Sequence, residues 1–310
     1  MPGVPPSRFA YLGPPGSFSE AALRRLPAAR RGTTIPVSSI PDALDAVRDG
    51  DVDAALVPLE NSQEGSVPVT LDGLVDGAPL LITAEVVLPV TFVLAVASKS
   101  TPVDRVVSHP HAIAQCRSWL RRHYPQATLG EVLSTSAAAT AVANGTEPAC
   151  VCSPLAAEQR GLTVIATDVG DGDRAATRFA LVSRPGPAGP PTGNDVTSLV
   201  VYISHDKVGA LESVLTQLSV RGVNLTRIES RPTGERLGRY SFYLDCAGHI
   251  NEPGLGEALM GLRRVCADVR FLGSYPRDGD DGPVPAPIGL ARHDFADAVT
   301  WLRGLREAGA

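Results

Sequence analysis

Over the first 184 residues, short apolar runs alternate with segments whose apolar positions recur at helical spacing. Residues 8–12, 33–37, 54–59, 105–108, 128–133, 149–152 and 163–167 read as strands. Helices are predicted between them near 17–30, 41–49, 111–123, 136–144 and 154–160. Such alternation predicts an α/β architecture with mainly parallel sheets. Two longer β-rich stretches, 80–87 and 90–97, lie midway and are placed to carry the chain from one lobe to another, and 179–183 to bring it back. Two lobes with a cleft between them follow.

The pattern changes after residue 184. Residues 185–193 hold four prolines and three glycines in nine positions, which excludes regular helix and central strand and places a linker at 185–195. Beyond it come strand 197–204, helix 209–221, strands 224–231 and 239–246, helix 254–264 and strand 269–274. Leu211, Val214, Leu215 and Leu218 form one apolar helix face, as do Leu255, Ala258, Leu259 and Leu262. Tyr240, Phe242, Leu244 and Cys246 alternate along a strand, so one sheet face is expected under those helices. The order βαββαβ over 196–276 predicts an α+β ferredoxin-like domain. A tail, 277–310, carries an amphipathic helical pattern through Phe295, Val299 and Leu302. Alone such a helix would be marginal in water, so it needs a surface to dock on.

Charge and composition narrow the functional classes. A net charge of -5 without a Lys/Arg-rich face argues against nucleic acid as a partner. The apolar stretch 85–97 is broken by Pro89 and falls short of the roughly 20 residues that span a bilayer, so no membrane association is expected. The first residues lack a charged region followed by an apolar run, which predicts a cytoplasmic protein. Cys116, Cys150, Cys152, Cys246 and Cys266 read as reduced, mostly buried thiols. Cys150 and Cys152 alternate along a strand, which predicts thiols on opposite faces that cannot chelate one ion. His109-Pro-His111 has no further ligands at zinc spacing, so no metal is expected.

Three segments place small hydroxyl residues where a helix is predicted to begin: Gly13-Pro-Pro-Gly-Ser-Phe-Ser-Glu20, Glu60-Asn-Ser-Gln-Glu-Gly-Ser66 and Ser134-Thr-Ser-Ala-Ala138. Ser17 with Glu20 fits a capping box, and free amides at a helix start favour an anion. Capping alone explains any one of them; three in one domain point to an anion cleft. Thr177-Arg178-Phe179 joins a Gly/Asp-rich loop to an apolar strand, where Arg178 can hold a carboxylate through two parallel hydrogen bonds and Thr177 adds a hydroxyl donor. Nucleotide-binding glycine motifs and a Gly-x-Ser-x-Gly elbow are absent from the sequence.

From Phe9 to Pro276 the chain resembles the prephenate dehydratases. The resemblance rests on Tyr11-Leu-Gly-Pro-Pro-Gly-Ser-Phe-Ser19, Val57-Pro-Leu-Glu-Asn-Ser-Gln-Glu-Gly-Ser-Val67, Ser108-His-Pro-His-Ala-Ile-Ala-Gln-Cys116, Ser134-Thr-Ser-Ala137 and Thr177-Arg-Phe179, in that order and spacing. The second domain resembles an ACT domain through Gly209-Ala-Leu211 and Glu229-Ser-Arg-Pro232. The resemblance implies a two-lobed, periplasmic-binding-protein-like (type II) catalytic domain over 1–184, followed by the ACT domain. It implies decarboxylating dehydration of prephenate to phenylpyruvate in phenylalanine synthesis, without a cofactor. It carries catalytic roles onto Thr177, Arg178, Asn61 and Gln115, and substrate contacts onto Ser17, Ser62, Ser134, Thr135 and Phe179. Gly209, Ala210, Leu211, Asn224, Leu225, Glu229, Ser230, Arg231 and Pro232 are implied to bind phenylalanine as feedback effector between paired ACT domains, in a homodimer or homotetramer. The family commonly has Gln where this chain has His111. Arogenate is the nearest alternative substrate, and a non-catalytic binding protein the nearest alternative class.

Overall fold

A computed structural model describes residues 7–172, 175–203, 208–233, 240–279, 282 and 286–308. Their contacts divide the chain into two units: residues up to Gly73 with Val86–Arg184, and Leu74–Glu85 with Pro185–Ala310.

The first unit, formed by the chain up to Arg184 apart from the stretch Leu74–Glu85, holds two sheets. The chain enters through β1 (Arg8–Leu12), α1 (Phe18–Leu23), β2 (Thr33–Val37), α2 (Ile40–Asp49), β3 (Ala54–Asn61), β4 (Gly65–Ser66), α3 (Pro68–Val75) and β5 (Leu81–Pro89). It continues through β6 (Val93–Val96), β7 (Arg105–Ser108), α4 (Pro110–His123), β8 (Thr128–Glu131), α5 (Thr135–Ala143), β9 (Ala149–Cys152), α6 (Pro154–Gln159), β10 (Thr163–Thr167) and β11 (Ala176–Ser183). The sheet orders are β2-β1-β3-β11-β5, with β4 beside β3, and β10-β6-β9-β7-β8. β5 leads out of the first sheet to β6, and β11 returns to pair with β3, so the two lobes and both crossings follow the apolar pattern. Central strands such as β3 and β9 are apolar on both faces because helices cover both sides.

Local differences from the expected elements have local causes. The first helix ends at Leu23 rather than near residue 30, because Pro27 disfavours helix in the residue before it; a 3-10 turn, Ala29–Arg31, follows. β8 stops at Glu131, and Leu133, 95 % exposed, is in the loop that leads to Ser134. Helix α3 was not expected from its β-branched residues and Gly73; a β-carbon at Gly73 would strike Leu44, so the glycine admits close packing on α2. Cys150 and Cys152 share one core cluster with α5 and α6, which corrects the expectation of opposite faces: residues two apart on a strand point the same way. Burial pushes the Cys116 and Cys246 thiols up to about 12 and Cys266 to about 11, and a hydrogen bond to Cys152 together with burial raises Cys150 further.

The second unit contains β12 (Asp195–Tyr202), α7 (Ala210–Ser219), β13 (Leu225–Pro232), β14 (Tyr240–Ala247), α8 (Pro253–Val265), β15 (Asp268–Pro276) and α9 (Arg292–Ala308). Its antiparallel sheet runs β13-β14-β12-β15, the ferredoxin-like order. Leu199, Val201, Leu244 and Cys246 pack against Val214, Leu218, Leu255 and Leu262 of the helices. The tail helix α9 docks on α8, where Phe295 lies over Gly254. Leu74–Glu85 belongs to this unit: the Arg270 guanidinium donates to the Val75 carbonyl, and Gly273, at φ +139, lies so close to the Ile82 carbonyl that a β-carbon would overlap it.

Candidate functional site

In each lobe of the first unit the parallel strands deliver their carboxyl ends to one sheet edge. β1 and β3 are parallel, and β11 runs against β3, so Thr177 and Arg178 at the start of β11 face Asn61 and Glu60 at the end of β3. In the other lobe β7, β8 and β9 are parallel and lead into α4, α5 and α6, which places His111 and Gln115, Ser134 and Thr135, and Ser153 at or beyond one edge. Ligands of open α/β sheets bind at such edges.

Asn61 organises the first edge. Its Oδ1 accepts from the backbone N–H groups of Gln63 (2.9 Å) and Glu64 (3.1 Å), forming a turn after β3. The amide nitrogen is thereby aimed at Thr177, and it donates to Oγ1 over 2.9 Å. Because Thr177 Oγ1 accepts this bond, its own hydrogen is left to donate elsewhere. Ser62 clamps the same junction: its N–H donates to the Ala176 carbonyl, and its Oγ accepts from the Ala176 N–H (3.0 Å). The register shifts between Arg178 and Phe179, so β11 is bulged beside the paired residues. Arg178 is largely buried with a guanidinium nitrogen 3.9 Å from the Glu60 carboxylate. Phe179 is 2 % exposed and therefore lies in the core beneath this junction.

Glu60–Ser66 does not begin a helix; it is the end of β3, a turn and β4, a correction that follows from the Asn61 turn. At Ser17 the capping expectation holds for the serine, whose Oγ accepts from the Glu20 N–H. Glu20 does not close the reciprocal bond to the Ser17 N–H. Its buried carboxylate accepts from the Gly16 N–H (2.7 Å), Arg24 (2.7 Å) and Gln159 (2.9 Å). The negative charge at this helix start is thus the protein's own. Burial, and then the charge of Glu20, push the Tyr11 hydroxyl up to about 12. Ser134 caps α5 by accepting from the Ala137 N–H (3.0 Å), with Thr135 opening the helix.

Direct bonds cross between the lobes. Ser153 caps α6 and its Oγ donates to the Gly16 carbonyl (2.7 Å), while Gln159 reaches Glu20. Gly16, at φ +87, sits where a β-carbon would press on Ala156. Glu64 approaches His111 at 3.5 Å. Beside these contacts a cavity of about 200 Å³ is lined by Gln63, Phe92, Gln115, Asp168, Asp171 and Ala175, among others. Gln115 therefore joins the turn after β3. Ser153, Gln159 and Glu64 were not anticipated; Ser153-Pro154 carried the same signal as Ser134, a hydroxyl between strand and helix, whereas the other two show only in three dimensions. Burial lowers the His109 pKa, and the charge of His111 lowers it further, against a rise from Glu131.

In the second unit Gly209, at φ +79, precedes the first turn of α7, formed by Ala210 and Leu211. Glu229, Ser230, Arg231 and Pro232 end β13, and Asn224 and Leu225 begin it. β12 and β13 both run opposite to β14, so Gly209–Leu211 and Glu229–Pro232 share one end of the sheet and Asn224–Leu225 occupy the other.

A two-lobed type II binding-protein-like domain with a ferredoxin-like domain after it defines the class of protein. The chain belongs to the prephenate dehydratase family, whose model matches residues 9–187. A prephenate dehydratase of Mycolicibacterium vanbaalenii is 46% identical over 322 residues, covering 99% of both chains. A solved prephenate dehydratase from Arthrobacter aurescens, in complex with L-Phe, is 44% identical with a TM-score of 0.88 over 97% of this chain and 99% of that one. GqqA, described as a novel type of quorum quenching acylase, is 32% identical with a TM-score of 0.79 over 87% of this chain and 98% of its own.

Proposed function

We propose that the chain converts prephenate to phenylpyruvate, carbon dioxide and water, in the cytoplasm, as a step toward phenylalanine. The observation that carries the mechanism is the polarity of the Asn61–Thr177 bond: the amide donates, so Thr177 is set to donate in turn. Arg178 holds one substrate carboxylate, and the first-turn amides at Ser134 and Thr135, which have no intrahelical acceptor, offer a second anion position. With the leaving hydroxyl against Thr177, the bond from ring to carboxylate breaks and its electron pair enters the ring. The carbon–oxygen bond breaks as the leaving hydroxyl takes the Thr177 proton and departs as water. Ser62, whose Oγ is bonded to the Ala176 N–H beside Thr177, stands at the junction where that proton returns from solvent. Aromatisation supplies the driving force, so orientation and one proton donor suffice without a cofactor.

Phenylalanine is the proposed effector, bound between ACT domains of a homodimer or homotetramer. Support comes from distance: Asn224 and Gly209–Leu211 lie at opposite ends of a sheet whose strand β13 is eight residues long, about 25 Å at 3.3 Å per residue, too far to enclose one amino acid within a single copy. Two copies packed head to tail would bring both groups to one ligand. Incubation of the full chain with prephenate, following phenylpyruvate with and without phenylalanine, tests both domains; parallel incubation with arogenate tests the substrate. Absence of turnover on prephenate would overturn the catalytic reading. Absence of phenylalanine binding by calorimetry would overturn the effector reading.

A further inference from the structure

The contact between Glu64 and His111 crosses from one lobe to the other and has no place in the chemistry above. Glu64 stands on the turn that Asn61 organises, its N–H bonded to Asn61 Oδ1, and Asn61 in turn holds Thr177. His111 is the second residue of α4, and Gln115, one turn further on the same face, lines the cavity together with Gln63. Glu64 therefore meets His111 directly, while its neighbour Gln63 shares a cavity with Gln115 on the same face of α4. Both side chains of the ion pair are more than half exposed, so neither is needed to fill the core.

Other titratable groups surround the pair. On α4's own start His109 meets His111 edge-to-face at 5.1 Å, and its Nδ1 accepts from the His111 backbone N–H. Glu131, from the end of β8, acts on His109. Asp168 and Asp171, from the segment after β10, line the cavity on the Gln115 side, and Asp171 is tied to the Ser118 and Trp119 N–H groups. Among the described residues Glu64 is the carboxylate at ion-pair distance from His111.

We propose that Glu64 and His111 form a positioning latch, made when the imidazole is protonated, that holds the Asn61–Glu64 turn and with it Thr177 against α4 while the substrate is bound. The inference rests on the reading of this cleft as the prephenate site. A neutral imidazole offers the carboxylate no opposite charge, so the latch is made in acid and lost in base. An exposed pair has a small effect: KM should rise about two- to fivefold between pH 5.5 and 8.5, and less in high salt.

The test is KM and kcat for prephenate across that range, at low and high salt, with uncatalysed conversion subtracted, for the unchanged protein and for His111→Gln, His111→Lys and Glu64→Gln. The expected result is a KM rise in the unchanged protein. His111→Gln and Glu64→Gln should show the higher KM at every pH, and His111→Lys, whose charge does not titrate in this range, the lower one. A KM rise that survives Glu64→Gln would overturn the latch, since His111 would then be meeting the substrate itself. A flat profile in an active unchanged protein would overturn it too. No phenylpyruvate at any pH would overturn the catalytic reading and the latch with it, and that outcome is distinct from both.

Discussion

Asn61→Asp reverses the polarity of one hydrogen bond while keeping nearly the same shape. The carboxylate can still accept from the Gln63 and Glu64 N–H groups, so the turn after β3 is retained. It cannot donate to Thr177 Oγ1, now 2.9 Å from an acceptor, and the threonine hydrogen swings inward to meet it. The leaving hydroxyl then loses its donor. General-acid assistance contributes about 10²–10⁴ in rate, so kcat should fall at least about a hundredfold, or about 2.7 kcal/mol of barrier. A bond that served stability alone would account for only about 0.5–1.5 kcal/mol. Thr177→Ala should lower kcat by a similar factor, Thr177→Ser should retain most of it, and the double variant Asn61→Asp with Thr177→Ala should be little worse than either single one. Phenylpyruvate formation at saturating prephenate measures all four. If the two single losses multiply in the double variant, Asn61 does not act through Thr177, and the assigned polarity is wrong.

Arg178→Lys should raise KM for prephenate roughly 10- to 100-fold with a smaller effect on kcat, because lysine cannot offer two parallel hydrogen bonds; steady-state kinetics would show it. Gly16→Ala should lower stability by about 1–3 kcal/mol in thermal unfolding, since it combines a left-handed backbone with a β-carbon against Ala156. Asp53 is desolvated, which raises its pKa, but bonds from the Ser7 and Arg8 N–H groups and side chains outweigh this and hold the carboxyl below the usual carboxylate range. A depressed folded-state pKa contributes stability that is full above about pH 4 and is lost as pH falls further. Asp53→Asn should therefore destabilise the protein at neutral pH, and denaturation curves of the two proteins should converge in acid.

Much of the architecture was legible in the chain because it depends on local periodicity. Alternation at spacing 2 and recurrence at 3.6 located most strands and helices, and the Pro/Gly stretch 185–193 reads as a linker because it can form neither. Ser17 and Ser134 announced their helix starts because capping involves residues only three apart. Thr177 and Arg178 could be singled out as candidates, but their motif said nothing about which way the threonine hydrogen points. That depends on Asn61, 116 positions away, whose amide is oriented by its own turn.

Tertiary structure alone decided the rest. Glu20 read as half of a capping box, yet it serves Gly16, Arg24 and Gln159, because burial leaves a carboxylate to collect every donor within reach and one of them comes from the other lobe. The same holds for Ser153 on Gly16 and Glu64 on His111. Contacts between lobes join residues from about 50 to 140 positions apart, and no local pattern encodes them. The sequence determined which elements form and which residues could do chemistry; the packing of two lobes decided which of those residues meet, and with what polarity.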